Sequence, residues 1–488
     1  MLTRREFSKG TALAAFAMGA PVPAPRRRRR SPGDEIRVAV AGIRSRGVAH
    51  INGFHRIEGV RVVALCDVDQ QVLAREAKKF EDRDEKVDTE VDFRRLLDRE
   101  DIDVMSFATP NHWHALQAVW SCQAGKDVYL EKPVSHNVWE GGQIVKAARA
   151  HGRLVQTGTQ ARSSHGIAEA MEWLQAGNLG EVQVARGLCY KPRQSIGKVD
   201  AEQQVPEHVD YDLWTGPAPM KPLGRRRLHY DWHWVFDTGN GDVGNQGIHQ
   251  MDIARWALGK SELPRATFSI GGRLGYDDDG NTPNTQVVVH DYGQDEPKLV
   301  FEVRGLPREE SLRSDGWGGG EMDRFLGARI GVIVHCKDGI MRFPNYSSAQ
   351  AVSHDGEEIA AWNGAKDHFA NFIDAVRSRK VEDLASDIRE GHLSSAMCHM
   401  GNVSHLLGRP ASAEEIGREI DGRAAAAESY GRMLAHLEAN GIDLASTPLT
   451  LGPNLKMDPS TERFVDNEDA QRLAAREYRA PFEVPKEV

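Results

Sequence analysis

Cysteine is scarce in this 488-residue chain: five residues, at 66, 122, 189, 336 and 398, with no pair in a Cys-x-x-Cys spacing. That argues against a disulfide framework or a structural zinc site and leaves isolated thiols. Long apolar runs are also missing. None approaches the ~18 residues of a membrane-spanning helix, so stable membrane insertion is not expected. There is no excess of positive charge, the formal net charge being −9, so nucleic acid is not expected as a partner. The chain holds no HExxH, no GxSxG and no P-loop, which argues against zincins, serine hydrolases and nucleotide kinases. What it does have is 40% hydrophobic and 27% charged residues, a soluble globular balance with material for two or three domains.

The N-terminus reads Thr3-Arg4-Arg5-Glu6-Phe7-Ser8-Lys9-Gly10, followed by a mildly apolar stretch to Ala20 and then prolines. Paired arginines, a Phe, a Lys and a weak hydrophobic region look like a bacterial twin-arginine signal. The expectation is export by the twin-arginine machinery to the periplasm. The run Arg26 to Arg30 is set aside from the fold with it.

From Glu35 onward short β-type runs alternate with helical segments. Residues 35–41, 61–66, 103–109 and 127–131 read as strands; 46–55, 70–80, 93–97, 114–124 and 137–151 read as helices. That alternation implies βαβ units and a parallel, doubly wound sheet. The segment Gly42-Ile43-Arg44-Ser45-Arg46-Gly47 follows the first strand and opens the first helix. A dinucleotide loop belongs there, although Arg44 stands where a middle glycine is usual. The outer glycines permit a tight turn, backbone N–H groups at the helix start meet a pyrophosphate, and Arg44 or Arg46 adds a bidentate phosphate contact. Asp67 ends the second strand, where a carboxylate accepts from ribose hydroxyls and repels a 2′-phosphate, favouring NAD over NADP.

Thr109-Pro110-Asn111, His114 and Glu131-Lys132-Pro133 resemble the glucose–fructose oxidoreductase, inositol dehydrogenase and MocA family. So do Thr157 to Gln160 with Arg162, and the glycine-rich stretch Gly239 to Asp252 that contains His249. The resemblance spans roughly residues 35–408. It implies an α/β fold: an N-terminal Rossmann domain that binds NAD, and a C-terminal α/β domain with a large open, mostly antiparallel sheet often used for subunit association. A homo-dimer or homo-tetramer is the corresponding expectation. Strands are predicted at 181–190, 266–271, 286–290, 299–303 and 330–336. Helices 368–377 and 391–408 are predicted to pack back on the cofactor domain. The expected organisation is signal and basic linker to 33, Rossmann domain 34–155, substrate and oligomerisation domain 156–365, returning helices 366–410, then C-terminal helices and tail.

The resemblance places Thr109, Pro110, Asn111, His114, Glu131, Lys132 and Gln160 at the cofactor, beside Gly42, Arg44, Ser45, Arg46, Gly47 and Asp67. Lys132 lies at a strand end, where an ammonium polarises a substrate oxygen. His249 is the candidate general base, since an imidazole titrates near ~6.5. The family usually has Asp four residues earlier, where one helical turn puts it on the same face as the histidine; this chain has Asn245, with Asp242 or Asp252 as charged substitutes. Tyr230, Trp232, His233 and Trp234 offer aromatic faces and polar groups suited to a sugar ring. With Arg162, Asp242 and His249 they are the candidate substrate residues. His229 and His233 stand four apart, but with no third ligand no metal is expected. The leading expectation is an NAD-dependent oxidoreductase acting on a carbohydrate, polyol or sugar derivative. The alternatives are a redox-neutral glycosidase or lyase that oxidises its sugar transiently, and a non-catalytic sugar- or NAD-binding relative.

Overall fold

The computed structural model describes residues 35–314 and 316–488, so the signal-like segment and its arginine run lie outside the described residues. Strands β1 (Ile36–Ala41), β2 (Val60–Cys66), β3 (Asp88–Glu90), β4 (Val104–Phe107), β5 (Asp127–Leu130) and β6 (Val155–Thr157) form one sheet. Its order is β3-β2-β1-β4-β5-β6, and every pairing is parallel. The continuous apolar runs suit a sheet buried on both faces. In β1, Val38 and Val40 enter one core while Ala39 and Ala41 enter the other. Strand order reverses between β1 and β4, which opens a crevice beyond the carboxyl ends. Two helices of this domain start on side-chain caps. Asp69 accepts from the N–H groups of Gln71 and Val72 at helix Gln70–Glu81, and Asn137 from that of Glu140 at helix Val138–Ala150. Each such cap contributes about 1 kcal/mol.

The second sheet has twelve strands. The predicted five appear as β7 (Val182–Tyr190), β8 (Ala266–Gly272), β9 (Thr285–Asp291), β10 (Lys298–Arg304) and β11 (Ile330–Cys336). Three more extend one edge: β12 (Gly339–Phe343), β13 (Ser348–Val352) and β14 (Glu358–Asn363). Central β7 pairs in parallel with β10 and antiparallel with β11. One face packs against helices Gly247–Ala257 and Ile388–Leu406, with Met251, Ala254 and Met397 against Val288, Phe301 and Val332. Helix His368–Ser378 returns to the nucleotide domain, where Phe369 and Phe372 join Phe54 and Tyr129.

Beyond residue 408 the chain rejoins the sheet through β15 (Arg409–Ala411), β16 (Leu449–Leu451), β17 (Leu455–Asp458) and β18 (Arg463–Val465). Helix Ala424–Ala439 lies on the outer face, packing Tyr430, Met433 and Leu437 against Phe268, Ile270 and Val289. The helix covers part of that face of the open sheet. A buried polar layer seals the contact. Arg186 donates to the Ala425 carbonyl and Ser429 Oγ at 3.0 and 2.6 Å, and Ser429 and Tyr190 donate to Glu302 at 2.7 and 2.6 Å. The last residues pack on the first domain, with Phe482 in its core and Gln143 donating to the carbonyls of Pro485 and Lys486.

Candidate active site

A cavity of about 460 Å³ opens beyond the carboxyl ends of β1, β2 and β4. Gly42, Arg44, Ser45, Arg46, Asp67, Thr109 and Pro110 line one wall. Gly42 has φ +75°, and a Cβ there would fall 2.6 Å from the Thr109 nitrogen. A Cβ on Gly47 would sit 1.9 Å from the Gly42 carbonyl oxygen. Both glycines are therefore required by close approach. Ser45, at φ 49°, precedes helix Arg46–His55 and puts no side-chain cap on it; the N–H groups of Gly47 and Val48 donate to the carbonyls of Arg44 and Ser45 at 3.0 and 3.1 Å, and the positive end of the helix faces the cavity wall. Asp67 Oδ2 accepts from the Ile43 N–H at 2.9 Å and Oδ1 from that of Asp69 at 3.0 Å, while burial pushes its carboxyl above the ordinary value. Val68, Val91, Phe93, Trp113, Leu213 and Trp214 form an apolar slot beside it. A glycine turn, an uncapped helix start, a strand-end carboxylate and an apolar slot fit the pyrophosphate, ribose and adenine of a dinucleotide.

From the second domain the cavity is lined by Lys191, Arg193, Tyr230, Trp232, His233 and Asn245, and by His229, which reaches Asp69 beside the end of β2 at 2.8 Å. Lys132, just past the end of β5, is half-buried and donates to the backbone carbonyl of Asn245 at 2.6 Å. Burial lowers the Lys132 ammonium to about 8; Glu131 opposes this, and Lys191, Arg46 and Arg193 add to it. Trp232 stacks on His233 with centroids 3.7 Å apart, and Tyr230 is exposed at the rim. Arg193 donates to both oxygens of buried Asp242 at 2.7 Å, and to Tyr230 Oη at 3.1 Å.

Several sequence expectations need correction. Burial and the Lys132 charge push the His249 imidazole down to about 3, so it is neutral near pH 7 and a weaker base than an ordinary histidine. Its Nδ1 is buried without a partner and its ring lies 4.7 Å from that of Tyr346. Asn245 does not share a helix with it. Asn245 ends helix Gly241–Asn245, and a second helix, Gly247–Ala257, carries His249. Arg162 does not face substrate; it is buried and holds Asp252 at 2.8 Å and Glu390 at 2.9 Å, which also removes Asp252 from the site. Asp242 is taken up by Arg193. Trp234 is core, with Arg193 over its ring at 4.9 Å.

Among the cofactor candidates, Arg46 is tied by Nε to Glu131 at 2.6 Å, and His50 meets the same carboxylate at 3.1 Å, so Arg44 is the freer cation. Glu131 is thereby an internal counter-ion. His114 is buried, with Nδ1 2.7 Å from the Pro133 carbonyl and Nε2 2.9 Å from that of Thr109; it ties two loops together. Asn111 is buried against Asn240, and Gln160 starts a short turn with its Oε1 unpartnered. His229 and His233 turn to different partners, Asp69 at 2.8 Å and the Tyr230 carbonyl at 2.6 Å. Lys191, Arg193, Phe93, Trp113 and Trp214 escaped the sequence reading. The one available signal was Lys191-Pro192-Arg193 directly after a predicted strand.

Residues 36–159 match the oxidoreductase family with an NAD-binding Rossmann fold, of the Gfo/Idh/MocA group. Residues 178–280 match the C-terminal alpha/beta domain of the same oxidoreductase family. Over 120 residues the chain is 37% identical to a glycosyl hydrolase family 109 protein 2 of Shewanella sp. (strain ANA-3). That match covers 24% of this chain and 26% of the relative, so it spans about a quarter of that protein. Among solved structures, the WlbA dehydrogenase from Bordetella pertussis in complex with NADH and UDP-GlcNAcA is similar, with TM-score 0.54 and 17% identity. The likeness covers 75% of this chain and 95% of that one. An oxidoreductase structure from Thermotoga maritima gives TM-score 0.55 at 14% identity, covering 76% and 97%. At these identities the structural likeness establishes the fold.

Proposed function

In a chain that carries both domains of the Gfo/Idh/MocA oxidoreductase family, we propose an NAD-dependent oxidoreductase that moves a hydride to or from a carbohydrate, polyol or sugar derivative. The observation that carries the reading is the place of Lys132: just past the end of β5, its amine donates at 2.6 Å to the backbone carbonyl of Asn245, a residue that lines the cavity, and burial pulls that amine down to about 8. NAD, when bound, supplies the hydride acceptor or donor. Gly42, Gly47 and the start of helix Arg46–His55 hold its pyrophosphate, with Arg44 beside them; Asp67 takes the ribose and the Phe93–Trp214 slot the adenine. Lys132, released from the Asn245 carbonyl, exchanges a proton with the substrate oxygen. Neutral His249 orients a hydroxyl by hydrogen bonding, and Tyr230, Trp232 and His233 offer a stacking face for the sugar ring.

The similarity to glycosyl hydrolase family 109 proteins over 120 residues supports a second reading, a redox-neutral hydrolase or lyase in which each cycle restores the nucleotide. Net conversion of NAD to NADH with product formed one for one favours the dehydrogenase. Product without net NADH favours the redox-neutral enzyme. Binding without any hydride transfer sinks both.

The Arg4-Arg5 pattern supports export to the periplasm by the twin-arginine route, which carries folded proteins. No soluble NAD pool is expected there, so an exported enzyme would carry its nucleotide with it. Retention through purification corresponds to a nanomolar Kd, about −12 kcal/mol. Nucleotide content after gel filtration without added NAD checks this; a clean apo protein that binds NAD only near millimolar sinks it. We further propose a homo-dimer or homo-tetramer, checked by light scattering.

A further inference from the structure

The side of the cavity away from the glycine turn has more positive charge than its carboxylates can match. Strand β7 ends at Tyr190 and delivers Lys191 and Arg193 to the cavity wall. Arg193 is matched by Asp242 through two 2.7 Å bonds. Glu131, next to Lys132, is matched by Arg46 at 2.6 Å. Lys132 and Lys191 have no such partner among the described residues. Lys132 donates to a backbone carbonyl at 2.6 Å, and Lys191 to the neutral Gln246 Oε1 at 2.9 Å. Burial pulls both ammoniums below the ordinary lysine range. Glu131 opposes this at Lys132 and Asp242 at Lys191, while Lys191, Arg46 and Arg193 add to it at Lys132 and Arg193 at Lys191.

Two unmatched ammonium groups in a partly desolvated site are costly unless a ligand brings negative charge. Sugar hydroxyls satisfy their hydrogen bonds and leave the charge where it was. Resting on the oxidoreductase reading above, we infer that the substrate is a sugar bearing an anionic group, a carboxylate or a phosphate, and that Lys191 is the residue that selects for it. The aromatic pair Trp232 and His233 on the same part of the wall then takes the ring while Lys191 takes the charge. Arg193, held by Asp242 and by Tyr230 at 3.1 Å, acts as a fixed edge of the subsite.

The test uses NAD-loaded protein titrated calorimetrically with glucuronate, glucose 6-phosphate and glucose at constant ionic strength. At least one anion is expected to bind about tenfold or more tightly than glucose, a difference of about 1.4 kcal/mol. Which anion binds separates a carboxylate from a phosphate. Lys191→Gln is expected to remove most of that advantage and Lys191→Arg to keep it, with nucleotide content unchanged in both. Glucose binding as well as both anions, or neither anion binding, overturns the inference. So does a Lys191→Gln protein that has lost its nucleotide, because Lys191 would then belong to the NAD site. Hydride transfer is assayed separately. Its absence with the anion preference intact overturns the oxidoreductase reading alone; its presence without that preference overturns the anion subsite alone.

Discussion

The two walls of the cavity are built in different ways. The nucleotide wall rests on backbone where the phosphates would lie, a glycine turn and a helix start at the ends of β1, β2 and β4, with the apolar side chains of Phe93, Trp113 and Trp214 beside it. The facing wall is side chain: Lys191, Arg193, Tyr230, Trp232 and His233, sent in by the end of β7 and by the irregular chain before helix Gly241–Asn245. A backbone wall reads features common to every dinucleotide and tolerates few changes in shape. A side-chain wall reads one ligand through charge and ring faces, and it changes with single substitutions. Loss of chemistry should therefore follow from residues between the walls, loss of cofactor from the first wall, and loss of selectivity from the second.

Lys132 stands between them and carries the largest expected effect. Lys132→Ala should lower turnover by about 10²–10⁴, the usual contribution of an acid–base or electrostatic group. NAD binding should change by only a few-fold. With the neutral amine as the proposed proton acceptor, kcat/KM in the oxidation direction should rise with pH through a limb near 8. Lys132→Ala should lose that limb. His249→Ala should keep it, since an imidazole held at about 3 does not titrate there. A limb that vanishes with His249 and survives without Lys132 would reverse the assignment.

Next comes the backbone wall. Gly42→Ala places a methyl 2.6 Å from the Thr109 nitrogen at φ +75°, so the turn must move. Strain of this kind costs about 1–3 kcal/mol, and the thermal midpoint and NAD content should fall together. An alanine protein that folds normally and keeps its nucleotide would show that the turn is not what holds the pyrophosphate.

The same contrast explains what was legible in the sequence. Strands β1, β2, β4 and β5 are continuous apolar runs closed by turn residues, and Gly42, Gly47 and Asp67 take their places from the βα order. Strands β3 and β6 have three residues each, too few to show a period. Arg162 looked like a substrate ligand because its partner Asp252 is 90 residues away. His114 looked like a cofactor ligand because its partners are backbone carbonyls, which no side-chain pattern reveals. Asn245 and His249 read as one helical face because nothing in the string marks the break at Gln246. Lys191 and Arg193 were overlooked because only the fold brings the end of β7 over the end of β5.

Asp67 tests the backbone wall more gently. Its carboxylate lines the cavity and should favour NAD over NADP by repelling a 2′-phosphate. Asp67→Ala should narrow the preference by about tenfold, read as the ratio of the two Kd values. It should also loosen the loop, because both carboxylate oxygens accept backbone N–H groups from Ile43 and Asp69. Wild-type protein that prefers NADP would refute the assignment of this strand end.

The smallest effect is expected at Asn245, where the two walls meet. Its backbone carbonyl holds the Lys132 ammonium and its side chain reaches the cavity. Asn245→Asp adds a negative charge near an amine that burial has lowered to about 8. An opposite charge favours the charged form, so the amine should hold its proton to higher pH. The limb for oxidation should therefore move upward, and the rate at pH 7 should fall because less neutral amine is present. At a pH well above the shifted limb the rate should return to near the wild-type value, since the carbonyl contact is retained. A limb that stays in place would mean that residue 245 acts through its backbone alone, and a limb that moves downward would mean that Lys132 is not the titrating group.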